Sequence, residues 1–192
     1  MTGPDFPLRV EIALPEWIEE VVAGRTHHPG IESKMALAIQ LAGENVEREI
    51  GGGPFGAAVF RSDTGQLVSV GVNSVIRLTN SVLHAEVVAL MLAHERLGLH
   101  SFAAPGAPPL ELATSCEPCA MCFGATLWSG VGKLICGATK DDAESLGFDE
   151  GPVGEASYHY ARARGVEVIR SVLRSEAVAV LRRYQELGRP IY

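Results

Sequence analysis

Two short segments carry the residues that could do chemistry. His84-Ala85-Glu86 and Pro118-Cys119-Ala120-Met121-Cys122 each stand at the head of a stretch with helical apolar spacing. His84, Cys119 and Cys122 make a donor set suited to Zn²⁺, and three protein ligands leave the fourth tetrahedral position for water. Glu86 would stand beside that water as a proton carrier rather than a ligand. Metal-activated water next to a free carboxylate is equipment for hydrolysis, here the replacement of an amine on a heteroaromatic carbon. Cysteines three apart present both sulfurs on one face of a helical turn. Two helix N-termini aimed at one spot add partial positive charge, which favours thiolates.

Cys116 permits a different arrangement. With His84, Cys119 and Cys122 it would complete a closed structural site, and the protein would then be a zinc-stabilised interaction module. Against this, Cys116 precedes Pro118 and belongs to a strand end, and Glu86 would have no role in a closed site. Cys136 lies in an apolar strand and reads as a buried small hydrophobe. His27, His28, His94, His100 and His159 read as structural or surface residues.

At 192 residues, 47% of them hydrophobic, the chain is long enough for one domain with its own core. Net charge is −7 and only Lys34, Lys133 and Lys140 are lysines. Polyanion binding draws on clustered Lys and Arg. The arginines between 162 and 183 alternate with Glu and apolar residues as a solvated helix face does, so a small neutral ligand suits the chain better than nucleic acid. All four cysteines fall between 116 and 136, which favours metal binding in a reducing, cytoplasmic setting over a disulfide scaffold. No apolar run is long enough to span a membrane, and the N-terminus lacks the pattern of an export signal.

These residues need elements to position them. Residues 1–30, with four prolines and a short helix candidate from Pro15 to Val22, read as an N-terminal extension packed on a domain spanning 31–192. Helical spacing over 31–50 ends at Gly51-Gly52-Gly53-Pro54. Strands are predicted at 55–61 and 67–73, joined by a hairpin turn, with Gly71 marking a bulge or a close backbone approach. A helix from His84 to about 97 and a strand at 110–114 follow. The next helix is placed with Glu117 as N-cap and Pro118 as its first residue. Strand 133–138, helices at 141–146 and 156–164, strand 166–170 and helix 175–187 complete the chain. This order predicts an α/β fold, a three-layer α/β/α sandwich around a five-stranded mixed sheet. Gly51–Gly56 fits the dinucleotide-binding G-x-G-x-x-G pattern, but a helix precedes it and a strand follows, so it reads as a turn feeding a sheet edge.

The pattern H-x-E…P-C-x-x-C is the signature of zinc nucleobase deaminases. Residues 114–125 with Trp128, the stretch Asp141–Glu150, Pro54-Phe55-Gly56 and Asn73 together resemble the guanine deaminase branch of the cytidine-deaminase-like superfamily. The resemblance covers roughly residues 35–192. It implies hydrolysis of guanine to xanthine and ammonia with one Zn²⁺ per chain, and close relatives also act on ammeline. It implies a homodimer whose C-terminal segment helps close the active site, in some members across the subunit boundary. It gives His84, Cys119 and Cys122 as zinc ligands, Glu86 as proton shuttle, Asn73 as the amide holding the substrate, and Glu150 as a second acidic group on the base. Phe55 and Trp128 match aromatic pocket positions and Tyr192 the aromatic end of the lid. Another base or nucleoside, or adenosine in tRNA, is the competing substrate.

Overall fold

In the computed structural model, which describes residues 7–192, a five-stranded sheet is covered by helices on both faces. The elements run α1 (Trp17–Val22), α2 (Ile31–Arg48), β1 (Gly56–Arg61), β2 (Leu67–Val72), α3 (Ala85–Leu97), β3 (Leu110–Cys116), α4 (Ala120–Ser129), β4 (Lys133–Ala138), α5 (Lys140–Glu144), α6 (Glu155–Ala163), β5 (Glu167–Ile169) and α7 (Arg174–Glu186). Strand order is β2-β1-β3-β4-β5. β1 runs antiparallel to both neighbours, and β3, β4 and β5 run parallel. The three-layer mixed sandwich expected from the element order is the fold observed.

Period-two alternation assigns each face. Ala57, Val59, Leu112 and Cys136 turn toward α3, α4 and α6, whereas Ala58, Phe60, Ala113 and Ile135 turn toward α1 and α2. Within the N-terminal extension, Trp17, Ile18 and Val21 of α1 join the α2 side of the core. Its backbone also reaches the hairpin, through Leu67 N–H to Thr26 O at 2.9 Å and His28 N–H to Gly65 O at 2.8 Å. Residues 1–6, which the extension also comprised, lie outside the described residues.

Two expectations are corrected, and a third is narrowed to one of its alternatives. The glycine turn at 51–53 feeds β1, which is an inner strand rather than a sheet edge. The helix after β3 starts two residues later than Pro118: Cys119 is the N-cap, with φ −63° and ψ 173°, and its sulfur accepts the Cys122 N–H. The irregularity of the hairpin sits between Val59 and Phe60. Gly71 instead marks the close approach that was its other reading. A Cβ there would lie 2.1 Å from Ala85 O and 2.5 Å from Ala89 N, so only glycine lets α3 settle onto β2.

Gly71→Ala must push the first turn of α3 away from the sheet. The expected cost is about 1–3 kcal/mol of stability, as for other overpacked sites. Weaker zinc uptake should accompany it, because Ala85 lies between His84 and Glu86. Thermal unfolding and a zinc titration check both; wild-type values would show that α3 has room to spare.

Candidate active site

The site forms where β2 and β3 end and two helices begin. β3 runs out at Cys116, Glu117 and Pro118 turn the chain, and α4 starts. β2 runs out at Val72, and after an irregular stretch His84 caps α3 with extended backbone, φ −70° and ψ 156°. α3 and α4 pack on the same face of the sheet. Among the described residues, one group has metal-binding geometry: His84, Cys119 and Cys122, whose donor atoms all lie within 4.8 Å of one another. His84 Nδ1 and Cys119 Sγ are 3.5 Å apart. Donors on one tetrahedral Zn²⁺, with Zn–S near 2.3 Å and Zn–N near 2.0 Å, stand about 3.6 Å apart. The donors present therefore fit zinc in chemistry and in spacing.

Cys116 stays out of this group. Its thiol is buried and directed at Thr139 O, 3.5 Å away. The fourth coordination corner is thus left free of protein sulfur, which favours the open arrangement over the closed one.

Charges in the site are coupled. The Cys122 thiol beside Cys119 holds Cys119 down at about 4 and is itself pushed up. Burial works to lower the His84 imidazole, but the Cys119 sulfur, Glu86 and Glu150 outweigh it and raise it. Glu86 is wholly buried and not among the donor group; burial, then the Cys119 charge, pushes its carboxyl up. Burial likewise lifts Glu150 to about 8, with Cys119 and Glu86 adding to it. Both carboxyls are therefore biased toward holding a proton.

The slot above the donors is lined by Phe55, His84, Glu86, Glu117, Cys119, Phe148, Glu150 and Tyr192, with Asp149 at its rim. Phe55 and Phe148 meet edge to face with centroids 5.0 Å apart. Asn73 lies just behind, fully buried. Its backbone binds Phe55 O and the Asn45 amide, and its Oδ1 takes the Val75 N–H at 3.2 Å. Among the described residues the Asn73 Nδ2 group makes no regular hydrogen bond, and the Tyr192 hydroxyl is the polar group nearest its side chain over Gly53.

Trp128 is the exception. It is 83% exposed, near the end of α4 away from the site. It stands nine positions after Cys119, about 13 Å along the helix axis. It belongs to a surface patch and does not line this chain's own slot.

Sequence reasoning missed two residues that matter. Phe148 was hidden inside a stretch read for its acids. The sequence pattern makes Glu117 a helix cap; in the structure its buried carboxylate instead accepts the Lys140 N–H at 3.0 Å and pairs with Arg170. An acid between the last strand residue and the first zinc cysteine was the available signal.

Residues 30–138 match the family described as the cytidine and deoxycytidylate deaminase zinc-binding region. The chain belongs to this family. Among its relatives, the guanine deaminase of Bacillus subtilis is 36% identical over 119 residues, 62% of this chain and 71% of that protein. The structure of guanine deaminase from Nitrosomonas europaea matches with 40% identity and a TM-score of 0.87, covering 95% of this chain and 100% of that one. A substituted form of NE0047 in complex with 8-azaguanine matches with 40% identity and a TM-score of 0.88 over 96% and 100%. The family and the donor geometry agree on a zinc-dependent hydrolytic deaminase.

Metal analysis of cysteine variants tests the ligand set. Cys116→Ala should keep one zinc per chain, whereas Cys119→Ala should lose most of it. A Cys116→Ala protein that purifies without metal would mean that this sulfur is a ligand after all.

Proposed function

We propose that the chain hydrolyses guanine to xanthine and ammonia in the cytoplasm, as a homodimer with one active site closed by each chain's own C-terminus. The observation that carries the chemistry is a three-donor zinc group with a buried, non-ligating Glu86 beside it. The substrate reading is supported by similarity to the Nitrosomonas europaea guanine deaminase along nearly the whole length of both chains.

Bound zinc supplies the Lewis acid that makes water a nucleophile near neutral pH. The chain's residues do the rest. Phe55 and Phe148 offer apolar faces for a flat base, and the Asn73 Nδ2 group, a buried donor that no carbonyl or carboxylate among the described residues takes up, calls for an acceptor such as the ring carbonyl. Glu86 takes the proton from the attacking water and delivers it to the ring nitrogen beside C2, the carbon that bears the amine. With the water oxygen now bonded to C2, Glu86, helped by Glu150, moves the remaining hydroxyl proton to the amino group; the C–N bond breaks, C2 becomes a carbonyl and ammonia leaves. Tyr192 closes the slot. Tyr192 lines the slot of its own chain, which supports closure within one chain. The four unbridged cysteines suit a reducing compartment.

The dimer is supported by an exposed apolar patch on the α3, α4 and α6 face. Met91, Trp128 and Tyr160 are 46%, 83% and 53% exposed there and adjoin hollows lined by His94, Leu127 and Arg164. Large exposed hydrophobics grouped like this mark an interaction surface.

Zinc-loaded protein should release ammonia from guanine faster than from ammeline, guanosine, cytosine, cytidine or adenine, and a faster rate on any of these would replace guanine as the substrate. Glu86→Gln should keep its zinc and lose at least about 10²-fold in kcat, the usual worth of a positioned proton carrier. Undiminished turnover would remove Glu86 from the reaction. In sedimentation, the wild type should run as a dimer and Trp128→Glu largely as a monomer; a monomeric wild type would dismiss the patch as an interface.

A further inference from the structure

Residues 188–192 fold back from α7 as a strap over the mouth of the slot, and the reaction above gives Arg189 no contact with substrate. The Arg189 guanidinium turns instead to the end of α2. It donates to Val46 O at 2.7 Å, to Ile50 O at 2.8 Å and to Glu49 O. Carbonyls at a helix C-terminus lack intrahelical partners and carry the negative end of the helix dipole. Val46 O is one of these, Glu49 is the C-cap and Ile50 follows it, so a forked cation that reaches all three is a matched partner for this end of α2.

A second hold lies on the other side of Pro190. Tyr184, buried in the last turn of α7, donates its hydroxyl proton to Pro190 O at 2.7 Å. With both holds made, and φ of Pro190 fixed by its ring, the direction of the last two residues is set. The Tyr192 ring then meets Phe148 edge to face at 5.6 Å. Tyr192 is 37% exposed as a residue, but its hydroxyl reaches inward to Gly53 and the buried Asn73. A Cβ on Gly53 would lie 1.8 Å from that hydroxyl and 2.9 Å from the Asn73 side chain, so the glycine leaves the space that the hydroxyl occupies.

With the strap in this position the slot encloses about 30 Å³. That is room for a water or two, against roughly 300 Å³ or more for a small-molecule site. A purine is admitted only when the Tyr192 ring swings off this position; with Arg189 and Pro190 still held, the ring stays at the mouth and settles over the base.

We propose that Arg189 is a positioning residue for substrate: its clamp on the C-terminal carbonyls of α2 fastens the strap, sets Tyr192 over the slot, and so sets the affinity for the base. This rests on the reading of the chain as a base deaminase. Arg189 does not touch the substrate, so its loss should act on binding before chemistry.

The test uses the zinc-loaded full chain. Arg189→Ala should raise KM for guanine about tenfold, in line with losing charge-assisted hydrogen bonds, with a smaller change in kcat. Its Ile191 and Tyr192 amides should exchange with deuterium faster than in the wild type. Tyr192→Ala should raise KM similarly, and the double variant should be little worse than either alone, because both remove one closure. Arg189→Lys, which keeps the charge but not the fork, should fall between. If Arg189→Ala fails to fold, Tyr184→Phe keeps its ring in the core and removes only the second hold, and it too should raise KM and speed exchange. Wild-type KM, unchanged exchange, or KM effects that multiply in the double variant would each overturn the proposal. A wild type that releases no ammonia from guanine would instead defeat the functional reading, while the exchange measurement would still report whether Arg189 fastens the strap.

Discussion

The separation between the first turns of α3 and α4 is the constraint on which the site depends. Nothing covalent joins His84 to Cys119, yet their donor atoms must stand 3.5 Å apart for a single cation to join them. That spacing is fixed by how closely α3 lies on the sheet and how closely α4 lies against α3. The inward face of α3 carries Ala85, Ala89 and Ala93, each fully buried, over the bare backbone of Gly71. Interaxial distance follows the size of the side chains at the contact. Small residues at this layer therefore act at the metal: a larger side chain would thicken it and carry His84 and Glu86 away from the sulfurs together.

A polar network then locks the loops to that frame. The Glu117 carboxylate joins the turn before α4 to the Lys140 N–H at the start of α5 and to Arg170 after β5. The Lys140 ammonium in turn donates to Gly151 O at 2.6 Å and Val153 O at 3.2 Å, on either side of Pro152 and just beyond Glu150. Ala120 N–H closes the circuit on Glu150 O at 2.9 Å. Thus the loop bearing the zinc cysteines and the loop bearing Glu150 are parts of one hydrogen-bonded unit. Glu117 is buried and charged, and burial of such a group is tolerable because its oxygens are taken up by a backbone donor and a guanidinium.

Much of this was legible in the sequence because it rests on short-range rules. Apolar periodicity located every helix and strand, and β4 falls on its expected bounds of Lys133–Ala138. The ligand trio was legible because zinc restricts both donor type and spacing. The start of α4 was misplaced because proline at a first helical position is a common rule, whereas Cys119 supplies its own cap through sulfur. Trp128 is matched to the pocket by resemblance alone, and this chain's own slot does not include it. What no local rule exposed were partners distant in sequence: Glu117 with Arg170, Arg189 with the end of α2, and Tyr192 with Gly53. These pairs are set by where the sheet order brings segments together.

The same distant packing creates an electrostatic problem that zinc is suited to relieve. Glu86 and Glu150 are buried near the Cys119 sulfur, and each group raises the cost of ionising the next. The hydrogen bond between the two neighbouring thiols favours ionising Cys119 and opposes ionising Cys122. A divalent cation inverts these terms, since it favours both thiolates and steadies nearby carboxylates. Metal affinity here includes relief of repulsion that the fold itself imposes. The fold does not need the ion in the way a zinc finger does, because its hydrophobic clusters lie on both faces of a five-stranded sheet and involve every strand except the short β5 edge at full burial. Zinc should therefore order the first turns of α3 and α4 and set their charge, while the core holds those turns in place for it.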